Sequence, residues 1–87
     1  SASFVDGTPD TIVLTVVNPG TDQATIVSAS VSGSGVTGAS VTSTDVPGDG
    51  AATQVTVSLT GDFAAGSLYT IELATGKGNV FPYQATP

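Results

Sequence analysis

Apolar residues in this chain recur at every second position, and no segment sustains a 3.6-residue repeat. The stretch TQVTVSLT (Thr53 to Thr60) is the plainest case. Val55, Val57 and Leu59 face one way, and Gln54, Thr56, Ser58 and Thr60 the other. Such alternation marks a strand with one buried face. TIVLTVV (Thr11 to Val17) sets Ile12, Leu14 and Val16 on one face. Val13 and Val17 lie opposite, so cover on both sides is expected there. In SLYTIELAT, Tyr69, Ile71 and Leu73 stand against Leu68, Thr70, Glu72 and Ala74.

Turn signals separate these runs. In NPG (Asn18 to Gly20), proline presets φ and glycine supplies the positive φ that follows. SGSG (Ser32 to Gly35), VPGDG (Val46 to Gly50) and GDFAAGS (Gly61 to Ser67) mark further connections. TGKG (Thr75 to Gly78) is short enough to close a hairpin between Tyr69–Ala74 and Asn79–Gln84. About seven strands are expected: Ala2–Val5, Thr11–Val17, Ala24–Ser32, Ala39–Thr44, Thr53–Leu59, Leu68–Ala74 and Asn79–Ala85. Short strands with frequent turns predict an all-β, immunoglobulin-like antiparallel β-sandwich, residues 1–87 forming one domain. Its core is expected to hold Ile12, Leu14, Val16, Ile26, Val55, Val57, Leu59, Ile71 and Leu73. There is no Cys–Trp–Cys signature of an antibody-type domain, no internal repeat and no interdomain linker.

Length and composition narrow this picture. A chain of 87 residues buries about 60–65% of its unfolded surface, so a single thin core is expected. With no cysteine, no disulfide supplements it, and thiolate metal sites and thiol redox chemistry are excluded. Seven acids against one lysine give a net charge of −6. Nucleic-acid binding, which rests on Lys and Arg, is thereby disfavoured, as are anionic membrane surfaces. Only 9% of residues are charged, so Ser, Thr, Gln and Asn must supply the polar surface. That balance suits an extracellular protein, whose hydroxyls can carry O-linked sugars. Neither Asn18 nor Asn79 begins an N-glycosylation sequon. No apolar run approaches the roughly 18 residues that cross a bilayer. The opening residues have no basic or apolar leader, so Ser1 is read as the start of a mature product or of a fragment freed from its targeting or anchoring segment.

Catalytic residue types are scarce. Histidine and cysteine are both missing, which removes the usual general base and the best nucleophile. A Ser-Lys dyad has only Lys77 to draw on, in a glycine-rich turn where the ammonium is solvated, whereas a catalytic lysine needs burial or a cationic neighbour. Asp62 and Glu72 have no Trp or His beside them to form a sugar subsite for glycosidase chemistry. ATGKGNV lacks the spacing of a phosphate-binding loop and leads into a strand. An enzyme is therefore not expected, nor a cofactor or a metal cofactor. Two loops place carboxylates four apart, Asp6 with Asp10 and Asp45 with Asp49. They match no EF-hand, and ordinary turn chemistry or a weak calcium site would each account for them.

Among the five aromatics, Phe4, Phe63 and Tyr69 are expected in the core. Phe81 and Tyr83 share one face of a strand whose Pro82 cannot donate to a ladder, so that strand is expected at a sheet edge. Aromatics at an edge either cap the core or meet a neighbouring subunit. Phe81, Pro82 and Tyr83, with Phe4 and Val5 of the first strand, are the candidate subunit-contact residues.

Two stretches together carry a resemblance. IVLTVVNPGTDQATIVSASV (Ile12 to Val31) is a strand, an Asn-x-Gly turn and a second strand. GSLYTIELATGKGNVFPY (Gly66 to Tyr83) is a closing hairpin with Gly-Asn-x-Phe near its end. The pair resembles the globular heads of archaeal type IV pilins and archaellins, over about two thirds of the chain. The resemblance implies an immunoglobulin-like head, a long N-terminal hydrophobic helix, and helical surface filaments made of copies of one subunit. That helix is not among these residues. The Asn-x-Gly turn also looks like cell-adhesion-related domains of prokaryotic surface proteins. The expected function is a structural subunit of an extracellular, pilus-like filament for adhesion or display. Two alternatives stand beside it: a secreted module that binds a glycan or protein, with or without weak calcium binding, and a subunit whose Ser1–Val17 segment donates a strand to its neighbour.

Overall fold

A computed structural model describes residues 2–18 and 20–87; Ser1 and the Pro19 of the expected Asn-Pro-Gly turn lie outside the described residues. Eight strands follow in order: β1 Ala2–Val5, β2 Thr11–Val17, β3 Ala24–Ser32, β4 Val36–Val41, β5 Thr44–Val46, β6 Ala52–Gly61, β7 Tyr69–Thr75 and β8 Val80–Ala85. They form two four-stranded sheets in the orders β1-β2-β6-β4 and β5-β3-β7-β8, every pair antiparallel. With β5 set aside, the two sheets have the four-plus-three strand order of a constant-type immunoglobulin sandwich. β5 is an added edge strand beside β3.

β5 is also where the strand pattern expected from the sequence differs. Ala39–Thr44, expected as one strand, is divided between β4 and β5, which belong to opposite sheets. Val41 and Val46 are five residues apart, so a continuous strand would aim them at opposite faces. Leaving the first sheet at Thr42 and Ser43 lets both turn inward. Thr44 Oγ1 holds that corner by donating to the Thr42 carbonyl at 2.8 Å. A bulge in β3 solves a similar mismatch. Ile26 pairs Thr75 and Ser28 pairs Ala74, so Val27 is expelled to solvent while Ile26, Ala29 and Val31 keep the inner phase.

All nine expected core residues are buried, and Val31, Val46 and Tyr69 join them. β2 is covered on one side only: Val13 is half-buried and Val17 is exposed. β1 and β6 flank β2 in its own sheet, and its outer face carries no third layer.

The widest core side chain, Tyr69, opens β7 and acts as a tyrosine corner. Its hydroxyl accepts from the Ala64 amide at 2.7 Å and donates to the Ser34 carbonyl. The ring packs against Phe4 at 5.6 Å between centroids, and Phe4 meets Phe63 edge-on at 5.3 Å. A β-carbon on Gly33 would fall 2.2 Å from the Tyr69 ring, so only glycine lets the backbone lie against it. One side chain thus joins the β3–β4 turn, the β6–β7 loop and the core.

The body is elongated, 37 by 20 by 19 Å. One end carries the β2–β3 loop, the β5–β6 loop and the β7–β8 hairpin. The other carries the β1–β2 loop, the β3–β4 turn and the β6–β7 loop.

Candidate functional site

At the hairpin end the two stretches singled out in the sequence meet. Asn18 closes the β2–β3 loop with its own side chain. Its Oδ1 accepts from the Gly20 amide at 3.1 Å, and its Nδ2 donates to the Asp22 carbonyl at 2.8 Å. The Asn18 carbonyl accepts from Gly50 at 3.1 Å, tying in the β5–β6 loop. A β-carbon on Gly48 would lie 2.6 Å from the Asp22 backbone, so these loops touch main chain to main chain.

The β7–β8 hairpin is equally constrained. Thr75 is buried, and its Oγ1 accepts from the Asn79 amide at 3.2 Å. The Gly78 amide donates to the Thr75 carbonyl at 3.0 Å, and the Gly76 amide reaches across to Thr25 of β3 at 3.2 Å. Gly78 has φ +89°, which the turn needs and side chains resist. A groove of about 300 Å³ runs between the loop and the hairpin, with Asp22 and Gln23 on one side and Lys77 and Asn79 on the other. Phe81 lines it and, with Val16, Val17 and Ile26, also lines an adjoining apolar cleft of about 50 Å³.

The candidate contact residues do not form one patch. β8 is an edge strand, with Phe81 exposed at the hairpin end and Pro82 exposed opposite Glu72. Tyr83 faces inward, half-buried against the core. Phe4 packs with Phe63 and Tyr69, and Val5 is exposed toward the opposite end. Lys77 is exposed, yet it stands on the rim of the groove. Sequence offered no signal for that placement, because Asp22 and Gln23 lie more than fifty residues away.

The opposite end is organised by Asp10. This buried carboxylate accepts from the Gly7 amide at 2.8 Å and the Phe63 amide at 3.1 Å. Its own carbonyl takes the Leu59 amide at 2.9 Å. Asp10 therefore latches the β1–β2 loop to the β6–β7 loop. The Gly7 amide holds its carboxyl below the usual range against the opposing effect of burial, with the Phe63 amide and Asp6 adding to the lowering. Asp6 is raised: its carboxyl hydrogen-bonds to Asp10 when protonated and is repelled by Asp10 when ionised, with Asp62 adding to the repulsion. Asp45 accepts from Thr25 Oγ1 at 2.9 Å, and Asp49 caps the Ala51 amide at 3.0 Å. Among the described residues no group of three or more Asp, Glu, His or Cys is placed to hold a metal ion.

The acid pair sets a pH dependence. Asp6 binds its proton more tightly folded than unfolded, so its contribution is full below the ordinary value of 3.8 and lost as pH rises through its raised value. Asp10 is the reverse, its contribution full above 3.8 and lost as pH falls through its lowered value. Thermal stability followed from about pH 7 to 2.5 is expected to rise, pass through a maximum near the ordinary carboxylate value, and then fall. Asp6→Asn is expected to reduce the rise and keep the acid-side loss. A wild-type melting temperature that declines steadily from neutrality would contradict this assignment.

No known family model matches this chain, and no curated protein and no solved structure matches it. What the fold and its ends define is a β-sandwich module with one polar groove and one acid-latched end.

Proposed function

We propose that this domain is a structural subunit of an extracellular filament, doing its work by packing against copies of itself. The observation that carries this reading is where the large apolar side chains left outside the core stand. Val17, Val27, Val80 and Phe81 are exposed at the hairpin end, and Val5 and Leu68 at the opposite end. The flanks between them present the Gln and Thr of β6 and the Ser, Thr and Glu of β3 and β7. Exposed apolar groups confined to two ends of an elongated body suit end-on association. The hydroxyl-bearing flanks suit solvent and O-linked sugars. The resemblance to archaeal pilin and archaellin heads supports the same reading.

A donor-strand route would need β1 to leave four residue pairs with β2 and to strain the Asp10 latch; packing through the ends requires neither. A second reading, a glycan-binding module, is favoured by the groove beside Phe81, whose volume lies at the small end of ligand sites. Negative-stain microscopy of native material separates the two. Filaments are expected. Persistent monomers whose melting temperature rises several degrees on adding an oligosaccharide would replace the first reading by the second.

A further inference from the structure

Resting on the subunit reading, we propose that the assembly contact is head-to-tail. The hairpin end of one copy receives the Asp10 end of the next, and Lys77 stands against Asp6 and Asp62. The hairpin end holds a cation among its acids, whereas the far end holds acids alone. Lys77 is the only cation of the chain, and it projects from the hairpin beside the groove and Phe81. At the far end Asp6 and Asp62 are exposed, and the carboxylate of Asp10 lies behind them. Asp10 accepts from the Phe63 amide, next to Asp62. Asp6 is repelled by both Asp10 and Asp62, and a cation from outside relieves that repulsion. Leu68, 59% exposed, and Val5, 48% exposed, share this acidic end. They are the apolar groups available to cover Phe81 and Val17 on the next copy.

Asp22, Asp45 and Asp49 also stand at the hairpin end, on the side of β5 and the β2–β3 loop. They would repel an incoming acidic end on that side, which biases the contact toward the β7–β8 hairpin. The two faces are different surfaces, so the contact is heterologous and propagates as an open chain unless a rotation closes it. Each copy would advance the chain by about the 37 Å of its long axis. An end of 20 by 19 Å is well under the roughly 800 Å² per partner of a standard stable interface. The contact is therefore weak when dilute and forms at high local concentration.

The chain has no native cysteine, which permits a direct test. An Asn79→Cys chain and a mass-tagged Ala64→Cys chain, exposed positions that leave Lys77, Asp6 and Asp62 in place, are mixed at about millimolar concentration with oxidised glutathione, after melting curves confirm that both fold. Random collision gives mixed dimers and the two like dimers in roughly a 2:1:1 ratio. Head-to-tail contact is expected to raise the mixed dimer about tenfold above that ratio, and raising the salt to about 1 M, where the Debye length is roughly 3 Å, reduces the excess. A statistical ratio, or an excess of like dimers, overturns the proposal. If native material nonetheless forms filaments, the subunit reading stands and only this contact is wrong. Native material that stays monomeric removes the subunit reading itself.

Discussion

Replacing Tyr69 by Phe is expected to lower the melting temperature by about 10 °C, although the change removes a single oxygen. The ring would keep its place against Phe4. The Ser34 carbonyl and the Ala64 amide, however, would both lose their partner. A buried polar group left unpaired costs about 1–3 kcal/mol, and in a domain this small each kcal/mol moves the midpoint by roughly 4–8 °C. Tyr69→Ala adds the loss of the ring. Removing a buried aromatic costs about 3–5 kcal/mol before the hydrogen bonds are counted. At roughly 0.05–0.15 kcal/mol per residue, a chain of this length has about 4–13 kcal/mol in total, so the lost ring and the two unpaired groups together remove most of it. The Ala variant is expected to be largely unfolded at room temperature, read by far-ultraviolet circular dichroism. A Phe variant melting within about 2 °C of wild type would show that the hydroxyl does not hold the two loops.

That corner was only half legible in the sequence. The alternation of Tyr69, Ile71 and Leu73 placed the ring in the core, because a period of two assigns faces directly. The partners of the hydroxyl lie in two loops, one of them thirty-five residues upstream, and no local pattern names them. The same division runs through the molecule. Every strand with a clean alternation was found within about two residues of its observed ends. Ala39–Thr44 was not, because the chain changes sheets between Val41 and Val46, and a strand pattern carries no mark of which sheet it joins. Pro82 signalled an edge strand through its missing amide, and β8 is one. Lys77 was legible as a solvated turn charge. Its standing opposite Asp22 and Gln23 follows only from the fold. Asp6 and Asp10 drew attention as a spaced carboxylate pair with calcium in view. The structure instead spends Asp10 on the amides of Gly7 and Phe63, and the Phe63 amide belongs to a loop that the spacing of Asp6 and Asp10 does not mention.

Gly61→Ala is expected to be among the most damaging one-carbon additions in this chain, and Gly66→Ala gives the control that explains why. Both glycines have positive φ, +97° and +84°, a conformation that costs an L-residue roughly 1–2 kcal/mol. Nothing lies within 4 Å of a β-carbon built on Gly66, so that strain is the whole expected cost. A β-carbon on Gly61 falls 2.2 Å from the Gly35 carbonyl oxygen, the same oxygen that accepts from the Asp62 amide at 3.0 Å. Gly35 is matched in kind, its own β-carbon position 2.3 Å from the Asp62 carbonyl. Two backbones meet here with no side chain to yield. Relieving the clash means separating the β3–β4 turn from the end of β6, and overpacking of that sort adds about 1–3 kcal/mol. Gly61→Ala should therefore cost roughly 2–5 kcal/mol against 1–2 for Gly66→Ala, a difference readable as separate urea midpoints. Separating those backbones also shifts Asp62, the residue on which the head-to-tail contact depends. A Gly61→Ala chain that stays folded should therefore lose association while Gly66→Ala retains it. Equal midpoints for the two variants would mean that the close approach at Gly35 is not maintained in solution.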